Sequence, residues 1–324
     1  MAAPVPPMIA ANSARRALKI LGDRWTLLIL RDAFLGTRQF SAWQGRLGVT
    51  PTVLTKRLKT LVDTGIFKRA RFNEVPPRVE YQLTDKGLDI YPVALMILRW
   101  EQTWFPVPAG TRMVLRHTRC GREMQPRFTC GHCSGEVTAR DVRYRDGPGA
   151  GLESATANRL RRATITAQDQ RGTHGFLEHA VDILGDRWSW EAIGAAFLGH
   201  KRFDAFQAQT GMASNILSDR LRRLIDDGIL TRRAYQDRPP RYEYLLTEKG
   251  RDFYAATVML VCWGDRWLAG TKGPPVLLTH KACGSALDPQ VTCSGCGEVL
   301  DPHDVAYDMN DGTTARPLTL NAAT

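Results

Sequence analysis

Apolar residues recur at helical spacing along much of the chain, and the clearest run is Val53, Leu54, Leu58, Leu61 and Val62. They share one face of a helix whose opposite face carries Thr52, Thr55, Lys56 and Lys59. Gly65 stands where a left-handed residue ends that helix. A shorter amphipathic run, Phe40 to Leu47, precedes it across a tight turn. After it, the runs Ile66 to Phe72 and Arg78 to Leu83 alternate apolar with polar residues around Pro76-Pro77, as the strands of a hairpin do. Helix, turn, helix and basic hairpin is the layout of a winged helix-turn-helix, whose second helix enters the major groove of DNA.

The whole pattern occurs twice. ILGDRW at residues 20–25 returns at 183–188, an offset of 163 residues that also carries Phe40 to Phe203, Arg57 to Arg220, Gly65 to Gly228 and Trp104 to Trp267. A period this long marks duplication of a whole unit, since solenoid repeats are much shorter. The expected fold is mainly α with small β wings, an α+β class. It comprises winged helices at 12–106 and 176–269 and small cysteine modules at 107–142 and 270–307. Residues 143–175 are polar, contain Gly-Pro-Gly and read as a linker, while 308–324 read as a loose tail. Asp23 and Asp186 are placed to cap the first core helix of each copy, and Thr84 and Thr247 to cap the last. Pro92 should kink or locally open that last helix in the first copy, whereas Ala255 imposes no kink in the second. The pairs Trp100/Trp104 and Trp263/Trp267 at i, i+4 form an aromatic stripe that reads as core.

ILGDRWTLLILRDAFLGTRQF, PTVLTKRLKTLVDTGI, EVPPRVEYQLTDKG and the closing LRW resemble the HxlR-type winged-helix transcriptional regulators of bacteria. The resemblance spans Leu18 to Trp104 and again Val181 to Trp267. Two departures stand out. Gly22-Asp23-Arg24-Trp25 replaces the usual Gly-Gly-Lys-Trp, and Asn12 and Ser13 stand where oxidant-sensing members carry a cysteine. The resemblance implies homodimers on palindromic operators. Here it implies either a homodimer or two halves pairing as an internal pseudo-dimer on double-stranded DNA. It also makes subunit contact a rival reading for the tryptophan stripe.

A second chemical signal follows each winged helix. His117-x2-Cys120-x9-Cys130-x2-Cys133 recurs as His280-x2-Cys283-x9-Cys293-x2-Cys296. Three thiolates and an imidazole suit a tetrahedral structural Zn²⁺, and a two-residue gap lets one knuckle present two ligands. Each module is thus expected to be zinc-ribbon-like and to close its own site, giving two zinc ions per chain. Gly121 and Gly284 follow equivalent cysteines, where a knuckle needs permissive backbone. Four protein ligands leave no open position for catalysis. A redox switch that works by zinc release is the alternative use. His132 has Gly295 as its counterpart and reads as a bystander, and Cys262 as a small buried side chain.

Charge sharpens the picture. A net charge of +11 favours a polyanionic partner. There is no signal-peptide pattern and no apolar run long enough to span a membrane, so a cytoplasmic, reducing setting is expected, where seven cysteines act as ligands or thiols. No Walker loop, HExxH or Gly-x-Ser-x-Gly is present, so enzyme chemistry is not expected; a protein-binding scaffold is the rival class.

The two recognition helices differ. Thr52, Thr55, Lys56 and Lys59 become Asn215, Ser218, Asp219 and Arg222, which sets an anion where a phosphate or base edge would lie. Arg57 and Arg220 persist in both copies, as phosphate contacts or as partners of an acidic neighbour. The wing arginines Arg69, Arg71 and Arg78, against Arg232, Arg233, Arg238 and Arg241, are the candidate backbone contacts, with a solvated basic face as the plain alternative.

Overall fold

The computed structural model describes residues 8–72, 78–105, 113–154, 177–309 and 314–315. The first half opens with strand β1 (Met8–Ala10) and helices α1 (Ser13–Leu21), α2 (Arg24–Phe34), α3 (Phe40–Leu47) and α4 (Pro51–Asp63). Hairpin strands β2 (Phe67–Phe72) and β3 (Arg78–Leu83) follow, then helices α5 (Asp85–Leu88) and α6 (Tyr91–Trp104). It closes with strands β4 (Met113–His117), β5 (Arg122–Met124), β6 (Pro126–Cys130), β7 (Val142–Asp146) and β8 (Leu152–Ser154). The second half repeats the helices as α7 (Glu178–Leu184), α8 (Arg187–Phe197), α9 (Phe203–Thr210) and α10 (Ser214–Asp226). Its hairpin is β9 (Leu230–Asp237) and β10 (Pro240–Leu246), followed by α11 (Glu248–Asp252) and α12 (Tyr254–Leu268). Strands β11 (Val276–His280), β12 (Pro289–Cys293), β13 (Val305–Met309) and β14 (Thr314–Ala315) complete it. Each half is a winged helix-turn-helix followed by short strands bearing the cysteines.

Local chemistry explains the boundaries. Asp23 caps α2 by accepting from the Thr26 backbone N–H at 3.2 Å. Pro51 begins α4, where a missing N–H costs nothing, and Gly65 ends it at φ +74°. Leu54, Leu58 and Leu61 are fully buried, each contributing about 1.5–3 kcal/mol. Beneath the first wing, Trp43 packs against Phe67 and Tyr81 and donates its indole N–H to the Ile29 carbonyl at 3.2 Å. Trp100 and Trp263 are core, whereas Trp267 is exposed.

Some expectations need correction. Asp186 forms no cap hydrogen bond to the α8 backbone; its carboxylate is held by Arg220 and by the Ser189 hydroxyl. Thr84 and Thr247 do cap, but each caps a short helix, α5 or α11, and a break precedes the long helix in both copies. Pro92 therefore produces no kink: it sits in the first turn of α6, and the break recurs in the copy that has Ala255. Residues 143–146 and 152–154 of the segment read as linker lie in strands β7 and β8, because their backbone groups pair with β11 and β1. Residues 147–151 connect those two strands, and 155–175 lie outside the described residues, as does the tail apart from residues 308–309 and 314–315. Cys262 is half-buried, not buried.

The compact units do not follow chain order. Unit one comprises Met1–Gly22, Val137–Thr164 and Asp186–Leu287. Unit two comprises Asp23–Glu136, Ile165–Gly185 and Asp288–Thr324. In unit one the second copy's helices α8 to α12 are completed by α1, β1, β7 and β8 from the first half. Helix α1 lies against α12 so closely that a Cβ on Gly264 would meet the Ser13 carbonyl oxygen at 2.4 Å. Its Arg15 reaches the buried Glu191 of α8 at 3.0 Å and also donates to the carbonyls of Ala10 (2.7 Å) and Gln209 (3.0 Å). Strand β7 pairs antiparallel with β11, and β1 with β8.

Unit two completes α2 to α6 with α7, β12 and β13 from the second half. Glu101 of α6 caps α7, accepting from the backbone N–H groups of Ala180 (2.7 Å) and His179 (3.3 Å). Strand β13 pairs with β4, and β12 with β6, where the equivalent threonines Thr129 and Thr292 meet hydroxyl to hydroxyl at 3.3 Å.

Candidate metal centre and nucleic-acid interface

Strand direction decides which ligands meet. Strand β4 ends at His117, and a knuckle with Gly121 at φ +70° brings Cys120 beside it. Strand β6 then runs away from that knuckle, carrying Cys130 about 13 Å beyond Pro126. Antiparallel β12 brings Cys293 back opposite Pro126. The Arg122 guanidinium donates to the Gly295 carbonyl at 2.9 Å, and Ser294 exchanges hydrogen bonds with the Gln125 backbone. The result within unit two is a four-residue set of His117, Cys120, Cys293 and Cys296, with all ligand atoms within 4.8 Å of one another.

This overturns the expectation that each module closes its own site. Cys130 and Cys133 lie at the far end of β6 in unit two, and His280 and Cys283 follow from β11 in unit one. His132 is not part of the four-residue set.

This set fits a tetrahedral ion. Cys120 Sγ and Cys293 Sγ stand 3.9 Å apart, and Cys296 Sγ stands 3.3 Å from His117 Nδ1. Tetrahedral zinc asks for about 3.8 Å between sulfurs and about 3.5 Å between sulfur and nitrogen. The Arg122 backbone N–H holds the Cys120 thiol below its ordinary pKa against some desolvation, with neighbouring thiols helping. At Cys296 the Glu298 backbone N–H pulls downward, but desolvation and the facing Cys293 and Cys120 carry the net shift upward. Opposed shifts of this kind arise where several thiols share one small volume.

The recognition helices present a polar face opposite their buried leucines. In α4, Thr52, Thr55, Lys56 and Lys59 are exposed, with Lys59 also meeting Asp63 at 2.5 Å. In α10, Asn215, Ser218 and Arg222 are exposed. Arg57 and Arg220 turn inward instead. Arg57 pairs with Asp23 at 2.7 Å, and Arg220 pairs with Asp186, so each ties the recognition helix to the N-terminal end of the first core helix, α2 or α8. Asp219 is gripped by Arg220 (2.7 Å), Arg222 (2.7 Å) and Arg223 (3.1 Å). Desolvation pushes its carboxyl upward, but the Arg222 hydrogen bond and the surrounding guanidinium charges outweigh it, and the pKa falls below the usual range.

The wings carry exposed Arg69 and Arg71 in β2, Arg232 and Arg233 in β9, Arg241 in β10, and Arg238 in the turn between β9 and β10. Arg69 lies over the Tyr81 ring and Arg232 over the Tyr242 ring. Arg233 pairs with Glu243 at 3.0 Å. Arg78 opens β3, but its side chain falls outside the described residues, as does Pro76-Pro77.

The HxlR-like helix-turn-helix family matches this chain twice, over residues 20–108 and 183–272. The chain belongs to the HxlR-like family. One relative is an uncharacterized HTH-type transcriptional regulator of Mycobacterium tuberculosis (strain ATCC 25618 / H37Rv), Rv3095. It is 42% identical over 138 residues, covering 43% of this HxlR-like chain and 87% of the relative. YvaP of Bacillus subtilis (strain 168), another HTH-type regulator, is 38% identical over 90 residues, covering 28% of this chain and 83% of YvaP. Among solved structures, the redox regulator HypR in its oxidized form is 32% identical at a TM-score of 0.27, over 28% of this chain and 94% of that one. A whole relative thus corresponds to less than half of this chain, as a tandem duplication of the HxlR-like unit requires. Rv3095 and YvaP are both named as HTH-type transcriptional regulators. Among the described residues no helix is long and apolar enough to cross a membrane.

Proposed function

We propose that this chain is a sequence-specific DNA-binding regulator whose two winged helices read the half-sites of an imperfect palindrome. Its two sequence halves serve as an internal pseudo-dimer, and a structural zinc ion sits in the set of His117, Cys120, Cys293 and Cys296. The observation that carries this reading is the exposed face of α4, with Thr52, Thr55, Lys56 and Lys59 beside the exposed wing arginines Arg69 and Arg71. The pseudo-dimer is supported by the make-up of each compact unit, which draws on both halves of the sequence. Zinc would supply charge neutralisation of the thiolates and a rigid tie between strands.

A salt titration with duplex DNA tests the reading. Log affinity should fall linearly with log salt, and Arg71→Ala or Arg233→Ala should each shallow the slope by about 0.9 while weakening all sequences alike. Arg57→Ala should leave the slope unchanged and lower stability by about 1.5–3 kcal/mol, since it loses a charged hydrogen bond to Asp23. Asp219→Lys should steepen the slope. It removes the anion that engages Arg222 and Arg223 and adds a cation, so non-specific affinity rises and discrimination at the second half-site erodes. A flat salt response would reject DNA reading in favour of a protein-binding scaffold.

A further inference from the structure

Unit one encloses a cavity of about 80 Å³ between α1, α8, α12 and β11. Its wall is largely apolar, built from Phe197, Leu198, Tyr254, Val258, Val261 and Leu278. The polar groups on it include Asp265, Ser13 and Thr257, and among the described residues no cationic side chain lines it. Asp265 accepts a hydrogen bond from the Ser13 hydroxyl. Arg16, the nearby cation, is engaged by Glu153 at 3.1 Å and by the Leu268 carbonyl at 3.4 Å. Burial raises the Asp265 pKa, opposed by the Ser13 hydrogen bond and the charge of Arg16.

Unit two holds the equivalent cavity, about 50 Å³, lined by the counterparts Phe34, Leu35, Tyr91, Leu95, Leu98 and Leu115. The two differ in chemistry. Gln102 takes the place of Asp265 and donates its amide to the Met113 carbonyl at 2.7 Å. The charged lining residue there is Arg31, which is committed to Asp32 at 2.8 Å. They differ in closure as well. Tyr307 is buried and donates to the Leu35 carbonyl at 2.8 Å, whereas its counterpart Tyr144 is 46% exposed at the edge of the larger cavity. Unit one therefore has an apolar chamber with a partly buried carboxylate and an exposed tyrosine at its margin, and unit two has the same chamber with neither.

We propose that the unit-one cavity binds a small branched or cyclic hydrocarbon carrying one amine, with the ammonium group on Asp265 and the apolar body between α8 and α12. A chamber about half the size of the ~150 Å³ cavity that accepts benzene suits a body of about five carbons. An ammonium beside a partly desolvated carboxylate forms a charge-assisted hydrogen bond, whereas a carboxylate ligand would meet like charge. As an effector site the cavity rests on the regulatory reading above; ligand binding itself does not.

The test uses the full metal-loaded chain and three ligands of one shape: isoamylamine, isoamyl alcohol and isovalerate. Calorimetry should show saturable binding of the amine, binding of the alcohol weaker by about tenfold or more, and none of isovalerate; a tenfold ratio reflects loss of the ion pair. Intermolecular nuclear Overhauser effects should place the amine's methyl groups against Val258 and Leu278. Val258→Phe, which fills the chamber, should abolish binding, and Leu95→Phe in the equivalent cavity should leave it unchanged. Equal affinity for the three ligands, no saturable amine binding, or contacts to Leu95 and Leu115 instead would overturn the proposal. None of these readouts involves DNA, so their failure leaves DNA reading intact, and a flat salt response leaves them intact. If DNA binding holds, the amine should change operator affinity in wild type but not in Val258→Phe.

Discussion

Replacing His117 by alanine together with Cys293 by serine should remove one metal ion per chain, no more than either replacement removes alone. The two residues belong to a single set of ligands. Sites closed within each module would give an additive loss, because His117 and Cys293 would then hold different ions. Elemental analysis of the purified variants decides between the arrangements, starting from about two zinc ions in the wild type. The effect should be large, since apparent binding energies of structural zinc reach about 10–16 kcal/mol in zinc-finger peptides. Cys293→Ser should therefore loosen β12 and the β4–β5 knuckle, while the wing and α4 of unit two keep their own leucine core. A folded, metal-free wild-type protein that binds DNA would end the zinc assignment.

Arg15→Ala should lower stability by about 3–5 kcal/mol, the usual cost of stranding one partner of a buried ion pair. Both side chains are more than nine-tenths buried, so the Glu191 carboxylate would be left in a poorly solvated pocket. Burial already raises the Glu191 pKa, with Arg15 the chief opposing influence. The double variant Arg15→Met/Glu191→Leu should recover most of the loss, since well-packed apolar residues often replace a buried pair at little cost. Unit two supplies the precedent: the counterpart of Glu191 is Leu28, which is itself buried. Denaturant unfolding of the three proteins provides the measurement. A single variant that loses less than about 1 kcal/mol would show that the pair is not needed to hold α1 in place.

Much of this architecture is legible in the residues because the signals are local. Leucine spacing marks α4, Thr84 and Thr247 mark helix starts, and the repeat offset gives the second copy from the first. The eight metal-ligand candidates are legible too, since their two-residue gaps encode knuckles. Their grouping is not. Two identical half-sets can pair within a copy or across copies, and the choice depends on β6 running antiparallel to β12, a long-range fact with no local signature. The same holds for α1. Its amphipathic pattern announces a buried face without naming α12 as the surface that covers it. Arg57 and Arg220 illustrate the limit for the binding face: on a helical wheel they lie near the reading face, but Asp23 and Asp186 draw them inward.

The contacts of α1 and α7 also make the two halves non-interchangeable. Helix α1 fits against α12 because position 264 has no side chain, and a Cβ there would collide with the Ser13 carbonyl. The matching position on α6 is Glu101, whose carboxylate would face that carbonyl if α1 were placed there, oxygen against oxygen. Conversely, α7 against α12 would lose the carboxylate that caps its first N–H groups. The chain thus carries a lock and key for each exchanged helix, and the wrong helix is refused by either sterics or charge. That lock distinguishes first half from second half, but it does not distinguish one molecule from another. Two copies of the chain could trade α1 helices without breaking a rule, so the length of the intervening segment and the protein concentration set whether the exchange closes within one molecule or between two.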